Sequence, residues 1–447
     1  MKQLFGTDGI RGDAGKYPFD DATVRLIGAS LAKQFRAKLD RVPRFVIGRD
    51  TRESGERIEA ALHAGALSEG AVCESASVIT TPGVAYLTQE FDFDAGIVIS
   101  ASHNPFSDNG IKVFTPSGRK LDEATERLVE ADIFHAQSTE IADNIPVETE
   151  REHEFRDAYV THLLKIADGL SLDGKTIVLD CANGAASAYA PQVFEKLGAK
   201  VITVNCHPDG RNINENCGST HIDVLQKTVV EVGADIGIAF DGDADRSLFA
   251  DERGELVDGD STLWIIARAL RSQGDLENSR VVATIMSNIG LELAFDAENI
   301  ELARTDVGDK YVLDELIRSN SEIGGEQSGH IIFPKLSLVG DGIVTALLLL
   351  KATGDKNLSA ATEGFTRFPQ TLKKAKVKEK LPLESIPSIV EMRANIEREI
   401  ESTGQGRLNL RYSGTENVAR VMIEGEDQAV IDEQALRLVS VIEIALC

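Results

Sequence analysis

The sequence predicts an α/β protein with three related mixed α/β domains, followed by a smaller α+β domain at the C-terminus. At 447 residues and 42% hydrophobic content, the chain exceeds what one hydrophobic core usually organises, so several domains are expected. An apolar strand pattern, a polar loop and a helical pattern also follow one another three times. Around Pro369 the order of elements changes, which separates the last domain from the first three.

Each of the three repeats opens with an apolar strand that runs into a polar loop. The strands are residues 45–47, 176–179 and 281–285, and the loops are Gly48-Arg49-Asp50-Thr51-Arg52, Asp180-Cys181-Ala182-Asn183-Gly184 and Ser287-Asn288-Ile289-Gly290. The second repeat returns to a strand at residues 201–204 and the third near residues 300–303, as in a βαβ crossover. A helix before the first strand has Asp20 and Asp21 placed to cap its start. Its apolar face consists of Val24, Ile27, Leu31 and Phe35.

Changes in composition predict three domain boundaries. The charged stretch at residues 148–156 leads into a helical pattern, which puts the first boundary near residue 149. The third domain follows the turn Asp251-Glu252-Arg253-Gly254, and the fourth begins near Pro369, before an exposed lysine-rich segment. The predicted domains are therefore residues 1–148, 149–251, 252–366 and 367–447. In the last one, two strand patterns at residues 408–412 and 418–423 flank a short loop, and a helix closes the chain.

The net negative charge of the chain disfavours partners that are themselves negatively charged. Its formal net charge is -25 and its isoelectric point lies near 4.8. This negative field repels nucleic-acid phosphates and anionic lipid surfaces, and no Lys/Arg-rich run overrides it. We therefore expect neither nucleic acid nor a membrane as a partner. A small anionic substrate could bind where local cations converge, so arginines and lysines beside glycine-rich loops are candidates.

The cysteines and the first residues predict a cytoplasmic protein. The five cysteines are scattered and form no close metal-ligand pair, which suits a reducing compartment. The segment Met1-Lys2-Gln3-Leu4-Phe5-Gly6-Thr7-Asp8 has no apolar targeting core, and the apolar run at residues 347–350 is too short to span a membrane.

The first candidate site is Ala101-Ser102-His103-Asn104-Pro105, which directly follows the apolar run 97–99. It presents a hydroxyl at the end of a strand, where ligands gather in open α/β sheets. Asn104-Pro105 sharpens the turn, Gly110 is expected to loosen the following loop, and Lys112 can return a cation toward the hydroxyl. A Ser-His hydrolase dyad and a plain surface turn are the alternatives.

The second candidate site is Asp241-Gly242-Asp243-Ala244-Asp245-Arg246, after the apolar run 236–240. Alternating carboxylates can converge when the backbone turns, and Mg²⁺ prefers oxygen ligands, usually completed by water or substrate phosphate. Together with Ser102, this loop predicts metal-assisted phosphoryl transfer. An EF-hand calcium loop is a weaker alternative, because Arg246 stands where glycine is needed and the flanks look like strands. An aspartyl-nucleophile phosphatase and an acidic hairpin turn are further alternatives.

Two more loops suit a phosphosugar. Gly324-Gly325-Glu326-Gln327-Ser328-Gly329-His330 combines backbone freedom with a carboxylate and a hydroxyl, which can hydrogen-bond sugar hydroxyls. Arg411-Tyr412-Ser413-Gly414-Thr415 places a guanidinium, hydroxyls and backbone N–H groups around one loop that can hold a phosphate dianion. Arg420, on the next strand, adds a second cation. Taken singly, either loop could instead be an ordinary turn.

Because these motifs occur together in this order, the chain resembles the α-D-phosphohexomutase superfamily over nearly its whole length. The resemblance begins at Phe5-Gly6-Thr7-Asp8-Gly9-Ile10-Arg11-Gly12 and continues through the serine, metal, sugar and phosphate loops. Gly325-Glu326-Gln327-Ser328-Gly329-His330 and Ser413-Gly414-Thr415-Glu416 are more similar to the branch that acts on glucosamine phosphates than to the phosphomannomutase and phosphoglucomutase branches. Tyr412 and Asn417 depart from that branch, which usually has prolines there.

The resemblance implies a reversible mutase that converts glucosamine 6-phosphate to glucosamine 1-phosphate. The phosphoryl group would pass through a phosphoserine at Ser102 and a glucosamine 1,6-bisphosphate intermediate, which also acts as primer. The product would feed amino-sugar nucleotide and cell-wall precursor synthesis. The expected partner is a small phosphosugar, and a homodimer is the oligomeric state to test. Phosphoglucomutase or phosphomannomutase activity, an aspartyl-nucleophile phosphatase and a calcium or sugar-phosphate sensor are the alternative functions.

The resemblance also implies a role for each candidate residue. Asp241, Asp243 and Asp245 would hold Mg²⁺ together with the phosphate on Ser102. Arg246 would orient the metal loop, while Lys112 and Arg11 would handle a proton or stabilise charge near the sugar hydroxyl. The expected substrate-binding residues are Asp309, Glu326 and Ser328 for the sugar, and Arg411, Ser413, Gly414, Thr415 and Arg420 for the non-reacting phosphate.

A mutase of this kind must let the bisphosphate reverse its orientation without losing it to water. The four domains are therefore expected around a central cleft. The fourth domain is expected to hinge, so that its phosphate loop closes over the sugar during transfer.

Overall fold

The computed structural model describes residues 4–6, 8–136, 144–413 and 416–447. Its internal contacts divide the chain into two units. The first unit comprises Met1–Val282 and Gly308–Thr362, and the second comprises Ala283–Val307 and Glu363–Cys447. Within the described residues, no helix combines the length and the apolar content that crossing a bilayer requires.

The first unit begins with a six-stranded mixed sheet. Its strands are β1 (Phe5–Gly6), β2 (Gly9–Asp13), β3 (Arg44–Arg49), β4 (Val72–Val78), β5 (Ala95–Ile99) and β6 (Asp108–Phe114). Their order is β1-β2-β6-β5-β3-β4, with β3 parallel to both β4 and β5, and β6 antiparallel to β5. The helices of this segment are α1 (Asp21–Leu39), α2 (Gly55–Ser68), α3 (Thr81–Glu90) and α4 (Glu123–His135). Because β3 and β5 run parallel, the loops after both strands meet at one edge of the sheet.

Helix α1 begins where the sequence predicts. The side chain of Asp20 accepts a hydrogen bond from the backbone N–H of Thr23 at 3.0 Å, which satisfies one of the free donors at the helix start. The predicted apolar face is buried and belongs to one hydrophobic core with Phe45 of β3 and Ile97 of β5. That face is Val24, Ile27, Leu31 and Phe35. The interpretation of α1 as a capped helix that packs on the sheet is therefore confirmed.

Gly110 lies in strand β6 and not in a loop, so the prediction that it loosens the chain is wrong. A Cβ atom on Gly110 would lie 2.3 Å from the carbonyl oxygen of Ser100. Any side chain here would clash with the backbone that leads to Ser102. The glycine therefore allows a close approach between β6 and the serine loop.

A second sheet follows in the same unit. Its elements in chain order are α5 (Glu152–Ile166), β7 (Thr176–Asp180), α6 (Ala190–Lys196), β8 (Lys200–Val204), α7 (Asp223–Val232), β9 (Ile236–Phe240), β10 (Ser247–Ala250) and β11 (Leu256–Val257). The strand order is β11-β10-β9-β7-β8, with β7 parallel to β8 and β9, and β10 antiparallel to β9. The parallel pairs confirm the predicted crossover from residues 176–179 to 201–204.

The elements that follow in the chain are divided between the two units. They are α8 (Gly259–Gln273), β12 (Arg280–Thr284), α9 (Ile289–Ala297), β13 (Glu301–Thr305), α10 (Asp309–Ser319), β14 (Gly324–Gly325), β15 (Ile331–Ile332), α11 (Gly342–Thr353) and α12 (Leu358–Ala361). Strands β14 and β15 form a short antiparallel pair in the first unit. Helix α9 and strand β13 belong to the second unit.

The second unit also contains the C-terminal α+β segment. Its elements are β16 (Gln370–Lys376), α13 (Pro387–Thr403), β17 (Arg407–Tyr412), β18 (Val418–Glu424) and α14 (Gln428–Leu446). The three strands form an antiparallel sheet in the order β16-β18-β17. Side chains of α13, α14 and this sheet form a separate hydrophobic core that includes Ile396, Val421 and Leu438. The lysine-rich stretch is an edge strand, in which the small residue Ala375 is buried between exposed lysines.

Candidate active site

Ser102 lies in a tight turn directly after β5. Its backbone has a left-handed φ of 52°, and its side chain is buried. The N–H of Ser102 donates to the hydroxyl oxygen of Ser100 at 2.9 Å. Its carbonyl oxygen accepts from the Arg52 guanidinium at 3.0 Å and from the Asn214 amide at 2.8 Å. Three side chains from different parts of the chain therefore hold the serine in one backbone conformation.

Asp50 and Arg52 support this turn, and the sequence analysis did not identify them. Arg52 pairs with Asp50 at 2.9 Å, and neither side chain is exposed. Asp50 also accepts from the Ser100 hydroxyl at 2.5 Å. Burial raises the pKa of Asp50, although the charge of Arg52 opposes this effect. Their position could have identified them, because both residues lie in the loop after β3. The ends of parallel strands meet at one sheet edge, so this loop is expected near the Ser102 loop after β5.

The three aspartates converge in the loop between β9 and β10. One carboxylate oxygen each from Asp241, Asp243 and Asp245 lies within 4.8 Å of the other two, and all three residues are buried. The EF-hand interpretation is wrong, because strands flank this loop where an EF-hand needs helices. Gly242 has to be a glycine, since a Cβ atom there would lie 2.6 Å from the carbonyl oxygen of Ser102.

The serine and the aspartates form one site. The Ser102 hydroxyl donates a hydrogen bond to Oδ2 of Asp241 at 2.6 Å. Burial, followed by the negative charges of Asp245 and Asp243, raises the pKa of Asp241 well above its ordinary value. The charge of this cluster therefore needs a cation close by.

Two buried oxygens of the cluster test whether a metal ion fits. Oδ1 of Asp243 and Oδ1 of Asp245 accept no hydrogen bond from any described residue, although the Arg246 guanidinium lies 3.8 Å from Oδ1 of Asp245. A buried carboxylate oxygen without a donor is costly unless a cation faces it. Hard divalent cations prefer such oxygen ligands. The three aspartates can therefore hold a metal ion.

Lys112 supplies a fixed positive charge to the cluster from strand β6. Its Nζ atom lies 3.0 Å from Asp243, 3.2 Å from Asp8 and 3.3 Å from Asp245. Burial alone lowers the pKa of Lys112, but the three carboxylates outweigh it and hold the pKa well above its ordinary value. Lys112 is therefore an ammonium ion at neutral pH.

Arg11 and Asp309 extend the site through two residues that the sequence analysis did not assign. Arg11, on β2, pairs with Asp8 and donates to the carbonyl oxygen of Ala101 at 3.4 Å. The Nζ atom of Lys120 lies 2.6 Å from Asp8 and 2.6 Å from Asp309. Burial opposes ionisation of Asp309, but Lys120 lowers the pKa below its usual range. Asp8 and Lys120 thus link the two predicted residues.

Arg246 and His103 lie on the other side of the serine. The N–H of Arg246 donates to Asp241 at 3.2 Å, and its guanidinium lies 3.2 Å from Nδ1 of His103. That nitrogen is 3.3 Å from the Ser102 hydroxyl, farther than the Asp241 oxygen. Burial, followed by the charges of Arg246 and Arg11, lowers the pKa of His103 to about 4. The carboxylate, and not the imidazole, is therefore the closer acceptor for the serine proton.

The predicted sugar loop connects β14 and β15. Glu326 accepts from the N–H of Gly308 at 3.1 Å, next to Asp309, and from the Ser328 hydroxyl at 3.4 Å. Glu326 and Ser328 are both partly exposed, so their polar atoms can reach a ligand. The structure thus brings Glu326 and Ser328 together, and it places the residue before Asp309 against Glu326 within the first unit.

The predicted phosphate loop lies in the second unit. Arg411 of β17 is directly opposite Arg420 of β18, so both guanidinium groups share one face of the sheet. Arg420 lies 3.4 Å from the Ser413 hydroxyl and 3.2 Å from Glu416. Burial, followed by the charge of Arg420, lowers the pKa of Arg411. Two like charges in this register favour an anion between them.

Gly414 and Thr415, the other predicted members of this loop, lie outside the described residues.

Comparison with known proteins identifies four consecutive matches. The chain matches the phosphoglucomutase/phosphomannomutase α/β/α domain I at residues 2–140, domain II at 157–254, domain III at 258–368 and the C-terminal domain at 372–441. Three α/β/α segments and a distinct fourth confirm the predicted fold class.

Curated relatives match over the full length. A phosphoglucosamine mutase from Solibacter usitatus is 45% identical over 443 residues, covering 99% of this chain and 98% of that protein. A phosphoglucosamine mutase from Deinococcus radiodurans is 44% identical over 445 residues, with the same coverage.

Solved structures share the fold. A phosphoglucomutase/phosphomannomutase family protein from Burkholderia thailandensis aligns with a TM-score of 0.78 at 22% identity, covering 100% of this chain and 99% of that one. An N-acetylphosphoglucosamine mutase from Aspergillus fumigatus, in complex with GlcNAc-6P and magnesium, aligns with a TM-score of 0.66 at 18% identity, covering 100% and 96%.

Proposed function

We infer the function from one premise: the chain belongs to the phosphoglucomutase/phosphomannomutase family, within the branch of its phosphoglucosamine mutase relatives. It is an isomerase that interconverts glucosamine 6-phosphate and glucosamine 1-phosphate. We propose that Ser102 carries the phosphoryl group in this reaction. The observation that supports this role is its 2.6 Å hydrogen bond to Asp241, at the edge of three buried carboxylates.

We propose that Asp241, Asp243 and Asp245 hold Mg²⁺. The support is the pair of buried carboxylate oxygens that accept no hydrogen bond from the described residues. When bound there, the ion would neutralise charge on the phosphoryl oxygens during transfer. Removal of divalent ions with EDTA should abolish turnover, and added Mg²⁺ should restore it.

Electrostatic positioning is the proposed contribution of the surrounding residues. Asp241 orients the Ser102 hydroxyl by accepting its hydrogen bond at 2.6 Å. Lys112 is proposed to stabilise charge or to handle a proton, because its Nζ atom lies 3.0 Å from Asp243 and 3.3 Å from Asp245. Arg246 is proposed to orient the metal loop. The support is that its backbone N–H donates to Asp241 at 3.2 Å and its guanidinium lies 3.8 Å from Asp245. Arg11 is proposed to handle a proton or to stabilise charge near the sugar hydroxyl.

The remaining candidate residues are proposed to bind the sugar and its non-reacting phosphate. We propose that Glu326, Ser328 and Asp309 hydrogen-bond the sugar. The support is that Ser328 and Gly308, the residue before Asp309, both donate to the Glu326 carboxylate in the first unit. Arg411, Ser413 and Arg420, together with Gly414 and Thr415, are proposed to bind the non-reacting phosphate. Glucosamine 1,6-bisphosphate is the proposed intermediate, because a serine that gives up its phosphoryl group must receive one back.

Replacement of Ser102 by Ala tests the proposal. We expect loss of mutase turnover and loss of the phosphoryl group from the intact mass, with the fold retained by circular dichroism. The thermal midpoint should fall modestly, because the buried Ser102 hydroxyl donates to the buried Asp241 carboxylate. Ser68→Ala is the matched control, since among the described residues its hydroxyl donates to the carbonyl oxygen of Gly65, within helix α2.

Two outcomes would reject the assignment. Undiminished turnover in Ser102→Ala is the first. The second is a phosphoryl group mapped to Asp241, with release of free phosphate, which would favour the aspartyl-nucleophile phosphatase. Assays with glucosamine, glucose and mannose phosphates in parallel would separate the proposed activity from phosphoglucomutase and phosphomannomutase activity.

We also propose a cytoplasmic location, where the product would serve amino-sugar nucleotide and cell-wall precursor synthesis. All five cysteines are free thiols, which suits a reducing compartment. The predicted homodimer is tested by size-exclusion chromatography with light scattering.

A further inference from the structure

Thr81 contacts the metal loop from a distant part of the chain. It is the first residue of α3 and is buried. Its hydroxyl donates to Oδ2 of Asp243 at 2.6 Å, and its N–H donates to the carbonyl oxygen of Asp243 at 3.0 Å. The two residues are 162 positions apart in the sequence. One threonine therefore holds both the side chain and the backbone of Asp243.

These contacts decide which oxygen of Asp243 is available to a cation. Oδ2 accepts from Thr81 and also from Lys112, whose Nζ atom lies 3.0 Å away. Oδ1 is buried and accepts no hydrogen bond from any described residue. A partial rotation of the carboxylate about its Cβ–Cγ bond would move Oδ2 out of reach of both donors. Oδ1 is thus the oxygen left for the ion.

A buried chain of hydrogen bonds fixes the position of Thr81 itself. The neighbouring Thr80 accepts from the N–H of Gly83 at 3.1 Å and so caps helix α3. The Thr80 hydroxyl donates to the Tyr159 hydroxyl at 3.1 Å, and Tyr159 donates to Asp341 at 2.7 Å. Thr80, Tyr159 and Asp341 are all buried. The start of α3 is therefore anchored to two other segments of the first unit.

We propose that Thr81 is a positioning residue for the metal ion, which it serves by fixing the Asp243 carboxylate so that Oδ1 faces the cation. The inference rests on the proposed metal site, and it assigns a residue that is not itself a ligand. Groups that hydrogen-bond a ligating carboxylate typically change metal affinity by about 10- to 100-fold when they are removed. Thr81→Val keeps the branched shape and removes the donor, so its affinity for Mn²⁺ should fall by about that factor.

The experiment titrates Mn²⁺ into the purified full-length chain and measures the free ion by electron paramagnetic resonance. Thr81→Ser keeps the hydroxyl and should bind nearly as tightly as the wild type. Thr88→Val is the matched control, because Thr88 is buried in the same helix and, within the described part of the chain, its hydroxyl donates to the carbonyl oxygen of Val84 at 2.7 Å. In assays, Thr81→Val should need more Mg²⁺ for half-maximal activity, with an unchanged KM for glucosamine phosphate.

Three results would overturn the inference: wild-type Mn²⁺ affinity in Thr81→Val, equal losses in Thr81→Val and Thr88→Val, or no recovery in Thr81→Ser. Asp243→Asn separates this failure from that of the proposed metal site. If the wild type binds no Mn²⁺, or if Asp243→Asn binds it equally well, the metal site and the inference both fail. If Asp243→Asn loses binding while Thr81→Val keeps it, only the inference fails.

Discussion

Arg52 and Asp50 are a pair of opposite charges in which neither side chain reaches solvent. Arg52 also donates to the carbonyl oxygens of Ser102 at 3.0 Å and Asn104 at 2.6 Å. A buried ion pair offsets the loss of hydration only while both partners are present and their hydrogen bonds are made. The backbone conformation at Ser102 therefore depends on the buried charge of Arg52.

Replacement of Arg52 by Met should lower the free energy of unfolding of the first unit by about 3–5 kcal/mol, because Asp50 would remain buried without an opposite charge beside it. Urea denaturation followed by fluorescence measures this, since the single tryptophan, Trp264, lies in the first unit. Arg57→Met is the control, because Arg57 and Asp21 are each about a third exposed, with relative areas of 35% and 36%. Its expected loss is below about 1 kcal/mol. Equal losses would contradict the explanation.

The site residues that could be predicted from the sequence are those marked by their immediate neighbours in the chain. Ser102 and Asp241 each follow an apolar strand closely, and polar residues at strand ends are candidates without any knowledge of packing. Thr81 and Lys120 carried no such signal. A threonine at a helix start has an ordinary local explanation, and the Lys120 contact with Asp309 spans 189 positions. Their significance depends on partners that only folding brings near.

Among the helices, α4 shows how a cap links stability to pH. Asp122 accepts from the N–H and the hydroxyl of Thr125, each at 2.8 Å, and also pairs with Lys38. Partial burial opposes ionisation, but these bonds lower the pKa of Asp122 from 3.8 to about 2. The ionised cap is therefore favoured in the folded state. Its contribution to stability is present above about pH 4 and is lost as the pH falls through 2.

Replacement of Asp122 by Ala should cost about 1 kcal/mol of unfolding free energy at pH 7. Asp122→Asn keeps a capping oxygen without the charge, so its deficit relative to the wild type should shrink as the pH is lowered from about 5 to 3. Urea denaturation followed by circular dichroism across that range measures the difference. A deficit that stays constant with pH would show that the charge is not responsible.

The strands were more predictable than the contacts between them. Apolar runs located β5, β7 and β9 to within two residues at each end, because buried strands leave a continuous apolar pattern. The register that sets Arg411 opposite Arg420 was not predictable from the same pattern. It depends on how many residues the intervening loop contributes to pairing.

The molecule as a whole has two units with separate hydrophobic cores. The sequence predicted four domains from changes in local pattern. The contacts place residues 283–307, inside the third predicted domain, in the second unit. Arg407 of β17, for example, donates to the carbonyl oxygen of Ser287 at 2.9 Å. Contacts between residues more than a hundred positions apart produce no periodic pattern in the sequence, so this division into units could not be predicted from it.

Leu438→Ala should test whether the two cores unfold separately. Leu438 is fully buried in the second core, so its truncation should cost about 2–5 kcal/mol there. The circular dichroism transition should then begin at lower urea, while the fluorescence of Trp264 should keep its midpoint. Ile444→Ala is the matched control, because Ile444 is 86% exposed on the same helix. A shift of both signals together would mean that the units unfold as one.

The hydrogen bond from Ser102 to Asp241 exists only while the serine oxygen carries its hydrogen. An esterified oxygen has none, so phosphorylation replaces an attraction with a dianion that faces three acids. The unmodified chain should therefore melt later than the phosphorylated chain in a chelator. With Mg²⁺ present the order should reverse, since an ion held by the three aspartates would offset the charge of the proposed phosphate. Phosphorylation of the Ser102 oxygen would thus change the melting temperature, downward in a chelator and upward with Mg²⁺.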